Sequence, residues 1–494
     1  MLTDCMQSLR KAEQRRRRNI LLIFAVAFVG MLVSKGLALV PGYAFDDYSV
    51  VNAPRALDFT ISQGRFTQSL LQLGVTTAGV SATHAAWTFS LLFFVAAAAA
   101  VALGLDYVTR GQCRLSVIAG IAALITTYPY LTEYFTFRES LVPQSIAFCL
   151  VALILWRAGK EGSGPSRSLL SPLSLALLVL LAGCQQTAYI VVVFFLFGRF
   201  VFDIDRGVAN AWSLNATVLW SLVVSFALYV ALAVSVREIA ARGLHVDARG
   251  MLIDVTQIPL RLHQVADLTV SVLFRSEPVV AQGLKFGLIS CLILGIGVEF
   301  LRRPQFALVL TTAWALMFSL SLLLVSVSSV WWPVPRALYA SVFASGVALA
   351  LMYRDSGRLL TTAVAVVLVV CSALGALKSN QMLVDQQRLN RWDLWTASAI
   401  YDRAVQQGFS DQQTLRLVGA GWRHPGRLDT IQGDLNASAL IKTWAVAGVF
   451  REATGRELRV ASVPQDPALC SGKAVWPARG SVFEVELGFV VCMQ

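Results

Sequence analysis

Long apolar runs separated by short polar connections fill the first three quarters of the chain. A run that crosses a ~30 Å hydrocarbon core at ~1.5 Å per residue needs roughly twenty residues. Matching apolar runs to that length, with the basic connections as guides, predicts about eleven spans, at 20–40, 84–104, 115–130, 141–156, 168–183, 187–202, 212–235, 279–300, 306–327, 336–353 and 359–377. The expected fold class is an all-α polytopic membrane protein. Three segments, 41–83, 236–278 and the tail from 378, combine charges with helix-like periodicity. In the first, Leu57, Phe59 and Ile61 followed by Phe66, Leu70 and Leu73 predict amphipathic helix lying on the bilayer. The tail reads as a small separate α/β domain, with helices over 394–404 and 439–450 and strands near 415–418, 458–463 and 482–491.

The basic connections orient this pattern. Arg15, Arg16, Arg17 and Arg18 stand directly before the first span, and Arg110, Arg114, Arg157, Arg199, Arg206, Arg302, Arg303, Arg354 and Arg358 fall on the same side of it. Lys and Arg stay cytoplasmic, so a basic cytoplasmic N-terminus over 1–19, a membrane domain over 20–377 and an external C-terminal domain over 378–494 are expected. The critical step is 168–202. One long span there would reverse every later segment, whereas a tight hairpin turning at Gln185-Gln186 keeps Arg302-Arg303 inside.

Composition agrees: 56% of the 494 residues are hydrophobic, 14% are charged, and the mean hydropathy is +0.65. The net charge of +12 would raise nucleic acid as a partner in a soluble protein, but its placement in short loops assigns it to topology. The first run continues without a small-residue cleavage pattern, which predicts an uncleaved span. Cys149, Cys291 and Cys371 lie in apolar runs as small core residues, while Cys470 and Cys492 share the tail and can pair if it is external. His84, His245, His263 and His424 lack ligand spacing, so no zinc site is expected. P-loop, GxSxG and strand-to-helix GxGxxG patterns are missing from the sequence.

The candidate chemistry is polar residues at the external ends of spans. Asp46 and Asp47 follow the first span; one of two adjacent carboxylates near a bilayer has reason to titrate high, which suits a general base toward a hydroxyl. The same pair can hold a divalent cation, or be a solvated loop end. Arg55 and Gly64-Arg65 share that loop, where a guanidinium matches phosphate oxygens or snorkels from an interfacial helix. The connection after the third span carries Tyr128, Glu133, Arg138 and Glu139 among aromatic residues: rings to stack on sugars, carboxylates for hydroxyls and an arginine for phosphate, or an interfacial belt with an ion pair. Gln185 and Gln186 need partners at membrane depth. Trp331 and Trp332 lead through two prolines to Arg336, a second phosphate candidate. Lys35, late in the first span, is expected to snorkel outward.

Phe45-Asp46-Asp47-Tyr48, Gly64-Arg65, Phe137-Arg138-Glu139-Ser140, Gln185-Gln186 and Pro335-Arg336 together resemble the Gtr-type serotype-converting O-antigen glucosyltransferases of the membrane-embedded GT-C class. Where that family separates its arginine and acid by one residue, Arg138 and Glu139 are adjacent. The resemblance covers most of the membrane part and implies a GT-C-like fold in a bacterial inner membrane, with the C-terminus periplasmic. It implies transfer of a sugar, typically glucose, from a polyprenyl-phosphate donor to a lipid-linked O-antigen or related lipopolysaccharide glycan, without a cofactor. Asp46 or Asp47 would be the base, and Arg65, Arg138 or Arg336 would stabilise the leaving phosphate. A separate donor-lipid synthase and flippase would be partners. Two other classes remain open: a flippase for a lipid-linked glycan, which needs polar groups reaching both faces, and a non-catalytic assembly protein that leaves the Asp and Arg positions without a role.

Overall fold

The computed structural model describes residues 2–40, 42–50, 60–80, 85–160, 169–208, 211–240, 250–419, 428–432, 435–463, 467–486 and 488–493. Arg55, Leu57, Phe59, His84, His245 and His424 lie outside the described residues.

The membrane part consists of α1 (Leu2–Lys35), a short α2 (Phe45–Val50), α3 (Phe66–Thr77), α4 (Ala86–Thr109), α5 (Leu115–Thr127), α6 (Leu141–Lys160), α7 (Pro172–Cys184), α8 (Gln186–Asp205), α9 (Ala211–Ala240), α10 (Ile258–Leu273), α11 (Gln282–Arg302), α12 (Pro304–Ser321), α13 (Ala340–Met352) and α14 (Arg358–Gln406). Every expected span is helical, but the count changes. Among the described residues nine helices are by themselves long and apolar enough to cross a membrane, or ten if α5 and the following Pro129–Thr136, bent by 43°, form one broken span. The eleventh, α7, has thirteen residues and reaches only ~20 Å. This is the architecture of a multi-pass membrane protein. Residues 2–19, expected as a basic cytoplasmic N-terminus, are helical and continuous with the first span in α1.

The hairpin reading of 168–202 holds. Gln185 adopts an extended conformation between α7 and α8 and ends the first arm. Basic connections gather at one end of the bundle: Arg16 pairs with Asp106, Arg303 and Arg354 both reach Asp205, and Arg114 donates to the Ser356 carbonyl. Each contact joins different connections, so the helix ends near 106–114, 205, 302 and 354 lie together. Lys35, expected to snorkel, is instead fully buried and donates to the Thr126 carbonyl at 2.7 Å and the Ser34 hydroxyl at 3.0 Å. At the surface of α3 the polar Thr67, Gln68 and Ser69 are buried while Leu70 and Leu73 are exposed, so its polar side faces protein.

The boundary expected at 378 falls inside a helix. α14 runs unbroken through residue 378 for 49 residues, roughly 73 Å, so the fall in hydropathy there marks no break in the helix. Beyond it, β1 (Thr414–Val418), β2 (Arg459–Val463), β3 (Val482–Val485) and β4 (Gly488–Cys492) form a sheet of order β2-β1-β4-β3, with β3–β4 antiparallel and the other pairs parallel. The single strand expected over 482–491 is a hairpin, and the helix expected over 439–450 is a 3-10 turn (Ala439–Ile441) followed by α15 (Val446–Thr454). Cys470 and Cys492 are disulfide-bonded.

The core under this sheet includes residues from the membrane part. Phe45 and Tyr48 of α2, together with Phe137, pack with Ile400, Leu415, Val446, Val449 and Phe450. At the contact, a Cβ on Gly448 would stand 2.5 Å from the Tyr48 carbonyl oxygen. Backbone rather than a flexible side chain occupies that space, so Gly448→Ala should force α15 off α2. An expected loss of about 1–3 kcal/mol is measurable as a lower melting temperature in detergent; an unchanged transition would mean the two helices separate without cost.

Candidate functional site

Four breaks in helical backbone meet at the end of the bundle opposite the basic network. Pro129 disfavours helical geometry at Tyr128, which is extended (φ −63°, ψ 135°), and this ends α5 and tilts Glu133–Thr136 across the bundle. Phe137 is extended in turn, and Arg138–Ser140 form a 3-10 turn leading into α6. Gln185 is the second break. Pro335 opens a one-turn helix carrying Arg336, the third. Gly64, at φ +76°, is the fourth; a Cβ there would approach the Tyr229 hydroxyl to 2.8 Å, so the backbone passes close to α9 at this point.

Residues flanking these breaks, among them Gln63, Arg65, Tyr134, Ser140, Gln185 and Arg336, line a cavity of about 740 Å³ with both polar and apolar walls. Arg65, Gln185, Gln186, Tyr134, Trp332 and Arg336 line its polar part, and Leu222, Phe226, Leu320 and Leu324 are among the many aliphatic and aromatic residues on its apolar walls. Arg336 forms an ion pair with the fully buried Glu133, whose second oxygen accepts the Arg336 backbone N–H at 2.6 Å. Its guanidinium lies 4.3 Å from the Phe137 ring centroid and 4.5 Å from that of Trp332. Tyr134 donates to the Arg336 carbonyl at 3.0 Å and accepts from the Gln185 amide. Gln186 donates to the Gln63 carbonyl and the Tyr229 hydroxyl and accepts from Arg65 Nε at 3.4 Å. Among the described residues the amide oxygens of Gln68, Gln144 and Gln185, all buried and all on cavity-lining side chains, have no hydrogen-bond partner. An unmade hydrogen bond of this kind costs about 1–3 kcal/mol, so a ligand rich in donors would be favoured there.

The acidic residues sit beside this cavity and are not among its lining residues. Glu139 joins them to it: its carboxylate is within electrostatic reach of Asp46 and Asp47 and also of Arg336 and Arg65. Asp47 is buried and accepts backbone N–H groups of Ala44 at 2.8 Å and Glu139 at 2.9 Å. Asp46 is partly exposed and accepts from Trp444 Nε1 at 3.1 Å.

Several expected roles move. Arg138 is buried, and all three guanidinium nitrogens donate to main-chain carbonyls, of Gly42 (3.0 Å), Val40 (2.6 Å) and Ala38, which makes it a clamp on the chain leaving α1 instead of a phosphate ligand. Glu133 is committed to Arg336. Tyr128 packs edge-on against Tyr130, whose hydroxyl donates to Glu277, away from the cavity lining. Trp331 stacks under Arg261, so only Trp332 of that pair borders the cavity. The sequence reading missed Gln68, Gln144 and Tyr229. Amides inside apolar periodicity at 68 and 144 were the available signal; Tyr229 gave none.

No family model, curated protein or solved structure matches this chain.

Burial pushes the Asp47 carboxyl up to about 7, against the pull of its backbone donors and of Arg138. With an ordinary value of 3.8, the folded state holds this proton more tightly than the unfolded chain does. The stability it contributes is therefore complete below pH 3.8 and is lost as pH rises through about 7. Melting temperatures of detergent-solubilised protein should fall across that window, and fall less for Asp47→Asn. Parallel curves would assign the dependence to another group.

Proposed function

We propose that the chain is a GT-C-type glycosyltransferase of a bacterial inner membrane, moving a sugar, glucose in the family it resembles, from a polyprenyl-phosphate donor to a lipid-linked O-antigen or related cell-surface glycan on the periplasmic face. The observation that carries this reading is the cavity's two-sided character. Arg65 and Arg336 suit a phosphate, the partnerless glutamine oxygens suit sugar hydroxyls, and the apolar walls suit an isoprenoid chain. The disulfide in the tail supports an oxidising compartment for that end of the molecule.

In the step this supports, an acceptor hydroxyl oxygen attacks the anomeric carbon. The bond from that carbon to the phosphate oxygen breaks, and polyprenyl phosphate leaves with the electron pair. The hydroxyl proton passes to a carboxylate. Asp46 is the assigned base because it is partly exposed, whereas Asp47 is buried on two backbone N–H groups and positions the loop. Arg65 and Arg336 offset the charge gathering on the leaving phosphate. Arg336 is held for that task by Glu133 and by two aromatic rings.

Protein reconstituted in nanodiscs with polyprenyl-phosphate [14C]glucose and lipid-linked glycan acceptor should transfer label. Asp46→Asn should lower the rate by a factor of about 10² or more while leaving melting intact. Wild-type rates in Asp46→Asn would remove the base assignment. No transfer by the wild type, with labelled lipid crossing proteoliposome membranes instead, would turn the reading to a flippase. Arg65→Ala should raise the donor KM about tenfold, through loss of a charge-assisted contact of ~1.4 kcal/mol. An unchanged KM would exclude Arg65 from donor binding.

A further inference from the structure

The segment linking the 3-10 turn Ala439–Ile441 to α15 brings Trp444 against Asp46 and Lys442 against the neighbouring Phe45. Trp444 donates its indole N–H to Asp46 Oδ1 at 3.1 Å, yet 54% of the residue is exposed. The Lys442 ammonium lies 4.8 Å from the Phe45 ring centroid and 5.4 Å from that of Trp444. Phe45 meets Trp444 edge to face at 6.1 Å. A large ring is thus fixed by its polar edge and its aromatic neighbour, while much of its surface stays open. Folding alone gives no reason to leave it so, since Phe450 and Val449 on the following helix are fully buried.

We propose that Trp444 and Lys442 form a saccharide subsite that receives the acceptor glycan and presents its hydroxyl to Asp46. An exposed indole offers a flat apolar face that matches the C–H face of a pyranose. A carboxylate beside it accepts from ring hydroxyls, and an ammonium donates to ring or hydroxyl oxygens. The place fits the components: Trp444 bonds Asp46, and Glu139 interacts electrostatically with Asp46 and with the cavity arginines Arg65 and Arg336. A purely lipid-anchoring role for Trp444 fits less well, because Lys442 and Asp46 flank the ring and exposed Thr443 precedes it, whereas burying such charges in lipid is costly. The subsite rests on the transferase reading for its acceptor role, and on its own geometry for saccharide binding. It gives the C-terminal region a recognition function, with Trp444 as a binding residue and Lys442 as its partner.

Full-length protein in detergent, applied to an array of immobilised bacterial-surface oligosaccharides, tests it. Wild-type protein should retain a subset of these glycans. Trp444→Ala should weaken them about tenfold, and Trp444→Phe less, because the ring remains. Both variants should melt as the wild type does. In the nanodisc transfer assay Trp444→Ala should raise the acceptor KM and leave the donor KM unchanged. The proposal is overturned by any of three results: the wild type retains no glycan, the wild type and Trp444→Ala retain glycans equally, or brominated lipid quenches a fluorescence component that Trp444→Phe removes. Glycan retention that depends on Trp444 without any glycosyl transfer would keep the subsite and end the transferase reading. Transfer with an unchanged acceptor KM in Trp444→Ala would do the reverse.

Discussion

The geometry of this protein depends on a clasp between Arg138 and Asp47. Each is a buried ionisable group, and each is compensated mainly by main-chain groups of the other's segment. Arg138 donates to the carbonyls of Ala38, Val40 and Gly42, which follow the first helix, while Asp47 accepts the backbone N–H of Glu139. Burying either charge costs several kcal/mol unless such bonds are made, so neither segment can move without exposing the other to that cost. The three carbonyls are met by three different nitrogens of the guanidinium, a planar spread of donors that a single lysine ammonium does not offer. The clasp also fixes what flanks it. Phe45 and Tyr48 are directed into the core beneath the sheet, Asp46 toward Trp444, and Glu139 toward the cavity arginines.

Interrupted helices gather around that clasp for a related reason. A backbone break at membrane depth leaves N–H and C=O groups that lipid cannot satisfy, so breaks persist only against protein or a polar space. Here Tyr128-Pro129, Gln185, Val334-Pro335 and Gly64 lie at the same end, and polar groups next to several of them bond one another. Gln185 donates to Tyr134, Tyr134 to the Arg336 carbonyl, and Gln186 links Gln63, Tyr229 and Arg65. Proline at 129 and 335 and the left-handed Gly64 are local causes of three of the breaks.

The spans and the common end of their basic loops were legible because hydropathy and charge placement are local properties. The turn at Gln185 was legible for the same reason, and so was a possible Cys470–Cys492 bond. The role of each polar residue was not, since it depends on which neighbour tertiary packing supplies. Arg138 and Arg336 look alike in sequence, each following an aromatic-containing stretch at the start of a helix. Main-chain carbonyls occupy one, and Glu133 with two rings holds the other beside a cavity. Trp331 and Trp332 are adjacent yet divided between Arg261 and Arg336. The drop in hydropathy near 378 marked where the long helix leaves apolar surroundings, and nothing local revealed that Phe45 and Tyr48 complete the core beyond it.

The two ends of the bundle use polar groups in opposite ways, and this is why chemistry is assigned to one of them. At the basic end, Arg199 meets Asp203, Arg303 meets Asp205 and Glu299, and Arg354 meets Asp205 and Asp355. Opposite charges there neutralise one another across connections, which ties helix ends together. At the other end, neutral amides outnumber such pairs around a cavity, and three of their oxygens lack any partner among the described residues. Glu299 Oε1, Arg354 Nη1 and Ser356 Oγ at the basic end are also buried without a partner among the described residues, but they do not line the cavity, whereas the glutamine oxygens do and can meet an arriving donor there. The capacity for recognition is therefore read where partnerless acceptors line a cavity, beside the carboxylates that the Arg138–Asp47 clasp holds in place.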